Sequence, residues 1–497
     1  MATAAEAARE FATGPQVVQA ARRLLERFDI AVLCEALGNA NPEDAECFID
    51  AFEKLVQFDE VCASFANDLT LQAFLRQGSG AQDARIRNLV VRLLVRLARD
   101  DASVAQLGNA GLFAACEDLL MDPETGTAEV AAKVFCCAAR WPKGREMICG
   151  TGADGGTIQR LQERLDSLSD VERIRVLHLF VDLGRTAEDC FSRLEERGAF
   201  QQVIGAFLTE DILLKLNAVE LMDALGSFQA GQEFLTRQGV PERLARELMD
   251  PMNDASVRVC VVRLLGFVML RSPQALSIVL PGRESPFAHA LAEFLESRDP
   301  TEKLCALNAW SNISAHADGL AFFLQWSDIV QAVIALVAAP QMEVCKGAMT
   351  CWTCVLGNQQ PPEAGAMEVD GSIAQLWSIA CERLLPLVLK NLTAKPFPEV
   401  RTHTWRLLAT MSRSNQIARR ELTSEEMRDM LFDFTSETSS EARIAKHEFV
   451  ATLTKHHGSW LGSFLNEDVE KILEEYARQG PHWAPREAAA TVADQSG

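Results

Sequence analysis

The cysteine pair in Cys351-Trp-Thr-Cys354 has the spacing that redox proteins and zinc sites use, and Cys345 lies just upstream. Redox chemistry in such a pair needs the first cysteine at the N-terminus of a helix that follows a strand. Here the pair lies inside an apolar, helix-like segment beside Met349 and Val355, and no two further zinc ligands are near. We therefore interpret these cysteines as thiols of a hydrophobic core, with a redox or metal role as the alternative.

A glycine-rich run and a histidine pair have the residue types of a phosphate site and a metal site. The run Gly150-Thr-Gly-Ala-Asp-Gly-Gly156 follows no strand and is not followed by Lys-Ser or Lys-Thr, so it predicts a turn. His456 and His457 are adjacent and do not share a helix face, and with Gly458 after them they predict a helix C-terminus. The sequence has no Gly-x-Ser-x-Gly or His-Glu-x-x-His motif. We expect no enzyme activity, no cofactor and no metal site.

The segment 85–99 is a basic, helix-like stretch. Arg92 and Arg96 lie at helical spacing on one face, whereas Leu89 and Leu93 lie on another. One interpretation is the solvated face of an amphipathic helix. The other is a basic strip in a groove that receives acidic groups of a partner. In a chain with a formal net charge of −21, such a strip would be locally distinctive.

The charge balance and the composition narrow the class of protein. The 497 residues include 48 Lys and Arg against 69 Asp and Glu, and such an acidic chain is not typical of nucleic-acid binders. We also expect no membrane association, because no run of 18 apolar residues and no apolar signal-peptide core occurs. The fourteen cysteines form no secreted disulfide framework. We expect a protein with reduced thiols in the cytoplasm, and also in the nucleus.

Glycines recur at a nearly constant interval and indicate the architecture. Gly111, Gly156, Gly198 and Gly239 each open a helix-like segment, and they are spaced 45, 42 and 41 residues apart. A period of about 40 to 47 residues is typical of HEAT and armadillo repeats. Each interval also contains a second apolar helix, such as 213–225, and strand signals are scarce. The sequence predicts an all-α, armadillo/HEAT-like helical-repeat solenoid in which each glycine forms a tight turn with positive φ.

The repeat pattern also predicts a domain organisation and a binding face. The predicted segments are an N-terminal helical cap (1–80), armadillo/HEAT-like repeats (81–356), a Pro/Gly-rich insertion loop (357–372), C-terminal helical repeats (373–480) and a flexible tail (481–497). A hinge between two arrays is the alternative for the insertion. We expect a monomer, with the second helix of each unit on the inner face. The candidate partner-binding residues there, each of which could simply face solvent, are Arg92, Arg96, Arg173, Arg258 and Arg263.

The C-terminal part contains short motifs that occur in the same order and spacing in one known family. Lys395-Pro-Phe-Pro-Glu-Val-Arg401 precedes a helix, as Gln-Pro-Phe-Pro-Glu-Leu does in that family. The other matching stretches are 297–301, 442–450, 464–466 and 476–480, followed by Pro481 and Trp483. From about Glu296 onward the chain therefore resembles the proteasome 26S non-ATPase regulatory subunit 5 family, and before that point it shares only the repeat rhythm. It departs from the family at the insertion near Pro361 and in its cysteine-rich helices.

This resemblance implies both a fold and a function. Family members are helical-repeat solenoids that act as assembly chaperones of the proteasome regulatory particle. They hold the C-terminal domain of one base ATPase subunit with a curved face, and they leave before the mature 26S particle forms. The alternative is a general helical-repeat scaffold for protein–protein interactions. An importin-like receptor is disfavoured because Asn308, Trp310 and Asn312 do not recur at the repeat period, and we expect Phe397 and Trp405 in the core.

Overall fold

The structure, a computed structural model, is helical throughout, and no strand occurs in the residues that it describes. Those residues are 3–59, 61, 75, 77–150, 156–250, 253–362, 371–433, 436–465 and 467–483. The chain divides into two compact units, Met1–Leu235 and Thr236–Gly497. The sequence did not predict a boundary at this position, and the predicted segment bounds stay predictions.

The first unit consists of long helices that alternate with short ones. Its described helices are α1 (Ala4–Thr13), α2 (Val18–Arg27), α3 (Ile30–Gly38), α4 (Pro42–Leu55), α5 (Ala84–Leu97), α6 (Asp101–Asn109), α7 (Leu112–Leu119), α8 (Thr125–Ala139), α9 (Pro142–Cys149), α10 (Gly156–Arg164), α11 (Asp170–Thr186), α12 (Glu188–Glu196), α13 (Ala199–Phe207), α14 (Ile212–Leu225) and α15 (Gln229–Arg237). The long helices α4, α5, α8, α11 and α14 pack in chain order, each against the next. Stacking of this kind buries apolar faces that one helix pair cannot bury alone.

The second unit repeats the same alternation. Its described helices are α16 (Val240–Glu247), α17 (Ala255–Arg271), α18 (Pro273–Val279), α19 (Pro286–Glu296), α20 (Pro300–Ile313), α21 (Ala317–Gln325), α22 (Ser327–Leu336), α23 (Met342–Gly357), α24 (Gly371–Ile379), α25 (Leu385–Ala394), α26 (Pro398–Met411), α27 (Asn415–Thr423), α28 (Glu425–Phe432), α29 (Ser440–Leu465) and α30 (Glu467–Gln479). The long helices α17, α20, α23, α26 and α29 again pack in series. The all-α, armadillo/HEAT-like helical-repeat fold is thus confirmed.

The four anchor glycines lie where the sequence predicts turns with positive φ. Gly111, Gly198 and Gly239 directly precede α7, α13 and α16, and their φ angles are 72°, 73° and 65°. Gly156, the first residue of α10, has a φ of 70°. L-residues with a side chain rarely adopt this left-handed conformation, so glycine is the residue that lets the chain reverse between units.

A basic residue four positions into the long helices is a second periodic feature. Residues at this fourth position are Ala45, Arg87, Ala128, Arg173, Lys215, Arg258, Lys303, Cys345, Arg401 and Arg443. Arg87 illustrates its role, because it donates to the carbonyl of Ala81 in the preceding turn and to the buried carboxylate of Asp122 in the next unit. Arg401 repeats the arrangement with Leu392 and Glu437. These arginines join the turns of successive units.

A small residue at the third position of the short helix after most of the long helices is a third periodic feature. The residues there are Ser103, Gly144, Cys190, Gly231, Ala275 and Gly319, whereas α24, α27 and α30 have the large residues Ile373, Ile417 and Val469. A Cβ atom at Gly144, Gly231 or Gly319 would overlap a carbonyl oxygen in the last turn of the preceding long helix. The short helix can therefore cross that turn closely only where the residue is small.

The core contains three tryptophans of the long helices, but it does not contain Phe397. Trp310, Trp352 and Trp405 are fully buried, which confirms the prediction for Trp405. Phe397 is 55% exposed, so the prediction that it lies in the core is wrong. The reason is that Phe397 is the N-cap residue of α26 and precedes the first helical turn, where helix periodicity does not set a buried face.

The histidine pair lies in the interior of α29, so the predicted helix C-terminus is wrong. The helix continues past Gly458 because Leu461, four residues after His457, extends the same buried stripe. His457 is itself buried, and its Nε2 donates to the carbonyl oxygen of Ser412 at 2.5 Å. This hydrogen bond therefore joins α29 to the end of α26.

The stretch Gly371–Ala394 is long and apolar enough to span a membrane, with 24 residues and a mean hydropathy of 1.3. The helices Ala317–Gln325 and Ser327–Leu336, which are bent relative to each other, meet the same criterion of length and hydropathy when they are taken together. A π turn, Ala380–Leu384, joins α24 and α25 within the stretch. Its exposed positions include Gln375, Glu382, Arg383 and Lys390, whereas apolar positions such as Leu376 and Leu384 are buried. This division between two faces is typical of an amphipathic helix whose apolar face packs against other helices.

Candidate interaction groove

The exposed sides of α17, α20 and α23 form a groove of about 470 Å³ in the second unit. We call it the long-helix groove. Its floor contains the half-buried Phe267 and Leu304, and its polar lining includes Arg263, Asn308 and Asn312. The groove therefore combines an apolar floor with hydrogen-bonding groups, as surfaces that receive a polypeptide do.

Two glycines bring the groove helices close together. A Cβ atom at Gly266 of α17 would lie 3.2 Å from the Cα atom of Ala309 in α20. A Cβ atom at Gly347 of α23 would overlap the side chain of Leu304, also in α20. The absence of side chains at these two positions fixes the spacing of the three helices, and hence the width of the groove.

The polar groups of the groove are free to bind a partner within the part of the chain that the structure describes. The side-chain amides of Asn308 and Asn312 have no intramolecular hydrogen bond there, and Arg263 makes only a 3.9 Å contact with the sulfur of Cys260. Thr350 differs, because its hydroxyl donates to the carbonyl oxygen of Lys346 in its own helix. An asparagine amide both donates and accepts, so a pair of them can recognise the backbone of a bound chain.

Arg263 and Asn308 belong to a set of residues that occupy the same helical position in each unit. The ninth residue of every described long helix is polar and exposed: Asp50, Arg92, Lys133, His178 and Glu220 in the first unit, and Arg263, Asn308, Thr350, Arg406 and Glu448 in the second. We call these ten residues the central row. It contains four Lys or Arg and three Asp or Glu, so its formal charge is 4 − 3 = +1, in a chain whose formal charge is −21.

The structure places only two of the five nominated arginines, Arg92 and Arg263, in the central row. Arg92 donates to Glu53 at 2.7 Å. Arg96, at the thirteenth position of α5, is exposed and has no ion pair within the described part of the chain. Both Arg173 and Arg258 occupy the fourth position of their helices instead.

The two arginines at the fourth position have intramolecular partners. Arg173 lies 3.6 Å from Asp170 in the same helix, an ion pair between partly exposed side chains. Arg258 forms a bidentate pair with Glu293, with a shortest distance of 2.6 Å, and stacks over Phe294. These intramolecular contacts explain the position of Arg258 without a binding partner. The role of all five arginines in binding remains a prediction.

Both cysteines of the motif line the groove, but they differ in exposure. Cys351 is buried in the interior of α23, where burial raises the pKa of its thiol above the ordinary value. Cys354 is exposed and lines the groove, so the prediction of a core thiol is wrong for this residue. Three helical positions separate the two residues, which places them on the same side of α23. In the described residues no group of three His, Cys, Asp or Glu side chains could hold a metal.

Sequence reasoning missed most of the central row, although a signal for it exists. The row follows the repeat period when positions are counted from the N-cap of each long helix and not from the anchor glycines. The N-caps are often marked by an acidic residue, as at Asp83, Asp211, Asp254 and Asp299. Counting nine residues from each such cap finds Arg92, Glu220, Arg263 and Asn308.

Comparison with known proteins identifies relatives that match most of the chain. A family model described as "Proteasome non-ATPase 26S subunit" matches residues 13–496. The 26S proteasome non-ATPase regulatory subunit 5 of Mus musculus is 19% identical over 472 residues, covering 93% of this chain and 90% of that protein. The Homo sapiens protein of the same name is 18% identical, covering 91% and 88%.

Among solved structures, an engineered protein is similar with a TM-score of 0.45 and 16% identity, covering 85% of this chain and 98% of that one. Kap121p is similar with a TM-score of 0.46 and 14% identity, and the match covers 96% of this chain and 48% of Kap121p. The family model, in contrast, spans nearly every residue of the sequence. The chain therefore belongs to the family of proteasome non-ATPase 26S subunits.

Proposed function

We propose that this chain is a non-enzymatic chaperone for assembly of the proteasome regulatory-particle base. It binds the C-terminal domain of a base ATPase subunit through the exposed face of its long helices, and it is absent from the mature 26S particle. Holding that domain sterically blocks its docking onto the core-particle ring until the base is complete. The family match supports a role at the proteasome, and the motifs around Pro396 and Pro398 support this particular role.

The observation that carries the proposal is the central row. Ten long helices each present an exposed polar side chain at the same position, and in the second unit three of those helices also form the long-helix groove. A series of five such helices within one unit suits a folded partner domain, whereas an enzyme would need convergent catalytic groups in an enclosed pocket. The row is also less acidic than the rest of the chain, which favours a partner with acidic groups.

A pull-down with the tagged full-length chain, read by mass spectrometry, tests the proposal. Recovery of base ATPase subunits without core-particle subunits is the expected result. Recovery of the complete 26S particle would indicate a constitutive subunit and overturn the chaperone role. Recovery of neither would leave the alternative, a general helical-repeat scaffold.

Charge reversal on the central row tests the binding face with a matched control. The double variant Arg263→Glu, Arg406→Glu changes two exposed positions of the row in the second unit. The control Arg243→Glu, Arg428→Glu makes the same charge change at exposed positions of the short helices α16 and α28. We expect the first variant to lose at least ten-fold in affinity for the ATPase subunit and the control to lose less than two-fold. Equal losses would mean that net charge, and not the row, governs binding.

A further inference from the structure

Two cysteines of successive units lie side by side in the first unit. Cys149 is the last residue of α9, and Cys190 is the third residue of α12, 41 positions later. Their sulfur atoms are 3.0 Å apart, within hydrogen-bond distance. Both are free thiols, and among the described cysteines this is the one pair of sulfurs that share a hydrogen bond.

The position of Cys190 explains why the sulfurs come so close. It occupies the third position of a short helix, where glycine or another small residue stands in most other units. The tight crossing at this position brings the Cys190 side chain against the end of α9, and α9 and α12 pack against each other. The approach is therefore built into the repeat geometry and does not depend on a surface loop.

Small reagents can reach the pair from one side. Cys149 lines an open groove of about 480 Å³ together with Arg145, Asp189 and Arg193. The hydrogen bond shared with Cys190 lowers the pKa of the Cys149 thiol, and the two arginines act in the same direction. The same hydrogen bond raises the pKa of Cys190, which is fully buried. Cys149 lines the groove and Cys190 does not, so Cys149 is the sulfur that a reagent in the groove meets first.

We propose that Cys149 and Cys190 are a redox-active dithiol, which a hydroperoxide oxidises to a disulfide that links α9 to α12. In the first step the Cys149 thiolate attacks one oxygen of the peroxide. The O–O bond breaks, a sulfenic acid forms, and the leaving oxygen takes a proton from solvent to become water or an alcohol. In the second step the Cys190 sulfur attacks the sulfenic sulfur, its proton leaves with the displaced hydroxide as water, and the S–S bond forms. The two electrons lost by the sulfurs are those gained by the peroxide.

The site is independent of the proposed function. Cys149 and Cys190 lie on short helices, whereas the central row lies on the long ones. A disulfide here would close a loop of about 40 residues and tie one repeat unit to the next, which restricts the unfolded chain. Oxidation would therefore stabilise the first unit against thermal unfolding.

Peptide mapping of the full-length wild-type chain tests the proposal directly. The reduced, desalted protein is treated with about one equivalent of hydrogen peroxide, blocked with N-ethylmaleimide and digested with trypsin. Cleavage after Arg145, Arg160, Arg185 and Arg193 isolates each cysteine as the single cysteine of its peptide, 146–160 and 186–193. We expect a cross-link between these two peptides as the dominant product, reversed by dithiothreitol. Recovery of both peptides as maleimide adducts while other cysteines are oxidised would overturn the proposal.

Variants assign the roles of the two sulfurs. In Cys190→Ser we expect no cross-link and a sulfenic acid at Cys149 that dimedone traps. The control Cys354→Ser removes an exposed thiol and should leave the cross-link unchanged. Oxidation should raise the Tm of the wild-type chain by about 5 to 10 °C and leave that of Cys149→Ser unchanged. A cross-link that persists in Cys149→Ser, or an equal rise in Tm without Cys149, would contradict the assignment.

Discussion

Glu421 is a buried carboxyl group without a partner. It is fully buried in α27, and neither side-chain oxygen has a hydrogen bond within the described part of the chain. Burial raises the pKa of Glu421 well above its ordinary value, because the charged form would be desolvated without compensation. The carboxyl group is therefore protonated in the folded chain over a range of pH in which it is ionised in the unfolded chain.

Replacement of Glu421 by Gln should alter the pH dependence of stability. The folded chain keeps a proton on Glu421 that the unfolded chain releases above about pH 4.5. The contribution of this proton to the free energy of unfolding is therefore fully present below that pH. The contribution is lost as the pH rises toward the pKa of Glu421 in the folded chain, by at most about 1.4 kcal/mol per pH unit. The variant Glu421→Gln cannot titrate and should lack this decline when urea unfolding is measured between about pH 5 and pH 8. Exposed Glu448→Gln should keep the wild-type slope, and a Glu421→Gln slope equal to it would refute the assignment.

Arg401 and Glu437 form a buried ion pair that should be costly to break. Glu437 is 2% exposed and accepts from Arg401 Nε at 2.9 Å and from Trp405 Nε1 at 2.7 Å. Burial alone would raise the pKa of Glu437, but these hydrogen bonds outweigh it and the pKa lies below its ordinary value. Arg401→Met leaves the carboxylate buried without its cation and should lower the free energy of unfolding by about 3 to 5 kcal/mol.

The control for Arg401 lies on the same helix. Arg406 is exposed in α26, and Arg406→Met should change the free energy of unfolding by no more than about 0.5 kcal/mol. Denaturant titration of both variants gives the comparison. A loss of under about 1 kcal/mol for Arg401→Met would show that water compensates Glu437 and that the pair is not structurally important.

At the residue scale, the burial of a side chain could be predicted from the sequence where helix periodicity sets it, and it could not be predicted outside the helices. Trp405 lies on a regular helix face and is buried as predicted, whereas Phe397 precedes that helix and is exposed. The partner of Arg401 is 36 positions away in a loop, and no local pattern points to it. Residues that are far apart in the sequence come into contact because the repeat units stack. A single sequence shows the repeat period, but it does not show which side chains of neighbouring units touch.

At the scale of the elements, glycines in this fold serve two different purposes. Gly198 supplies a left-handed turn, and a Cβ atom added there would have no neighbouring atom closer than 3.6 Å. Gly231 has no unusual φ but lies against the carbonyl oxygen of Leu225. The sequence predicted the first kind from the regular spacing of anchor glycines. The sequence did not predict the second kind, glycines at a close helix crossing. Cysteine, serine and alanine also occur at this position, so glycine does not recur there at every repeat.

Gly231 and Gly205 should respond in opposite directions to alanine. A methyl group at Gly231 would overlap backbone, so Gly231→Ala should destabilise the chain by about 3 kcal/mol. Gly205 is exposed inside α13 with open space around it, so Gly205→Ala should stabilise the chain by about 0.5 to 1 kcal/mol. Thermal unfolding of the two variants beside the wild type checks both signs. A stabilised Gly231→Ala would mean that α15 can move away from α14 at little cost.

At the scale of the whole molecule, the fold class followed from the period, but the division of the chain did not. The insertion 357–372 was predicted as a loop because of its Pro and Gly content, with a hinge as the alternative. The boundary between the two compact units lies between Leu235 and Thr236, within α15, where the composition gives no signal. Helical repeats bury surface mainly against their nearest neighbours, so a boundary between compact units need not coincide with a loop.

Two compact units in one repeat protein predict unfolding in more than one step. Each unit has its own series of packed long helices, and stability in such arrays is a sum of local terms. Arg401→Met should therefore increase hydrogen exchange in peptides of 236–497 and leave those of 1–235 nearly unchanged, whereas Gly231→Ala should do the reverse. Exchange measured by mass spectrometry at rising urea resolves the two regions. If either variant raised exchange equally along the whole chain, the two units would unfold as one cooperative body, and a single free energy of unfolding would describe the protein.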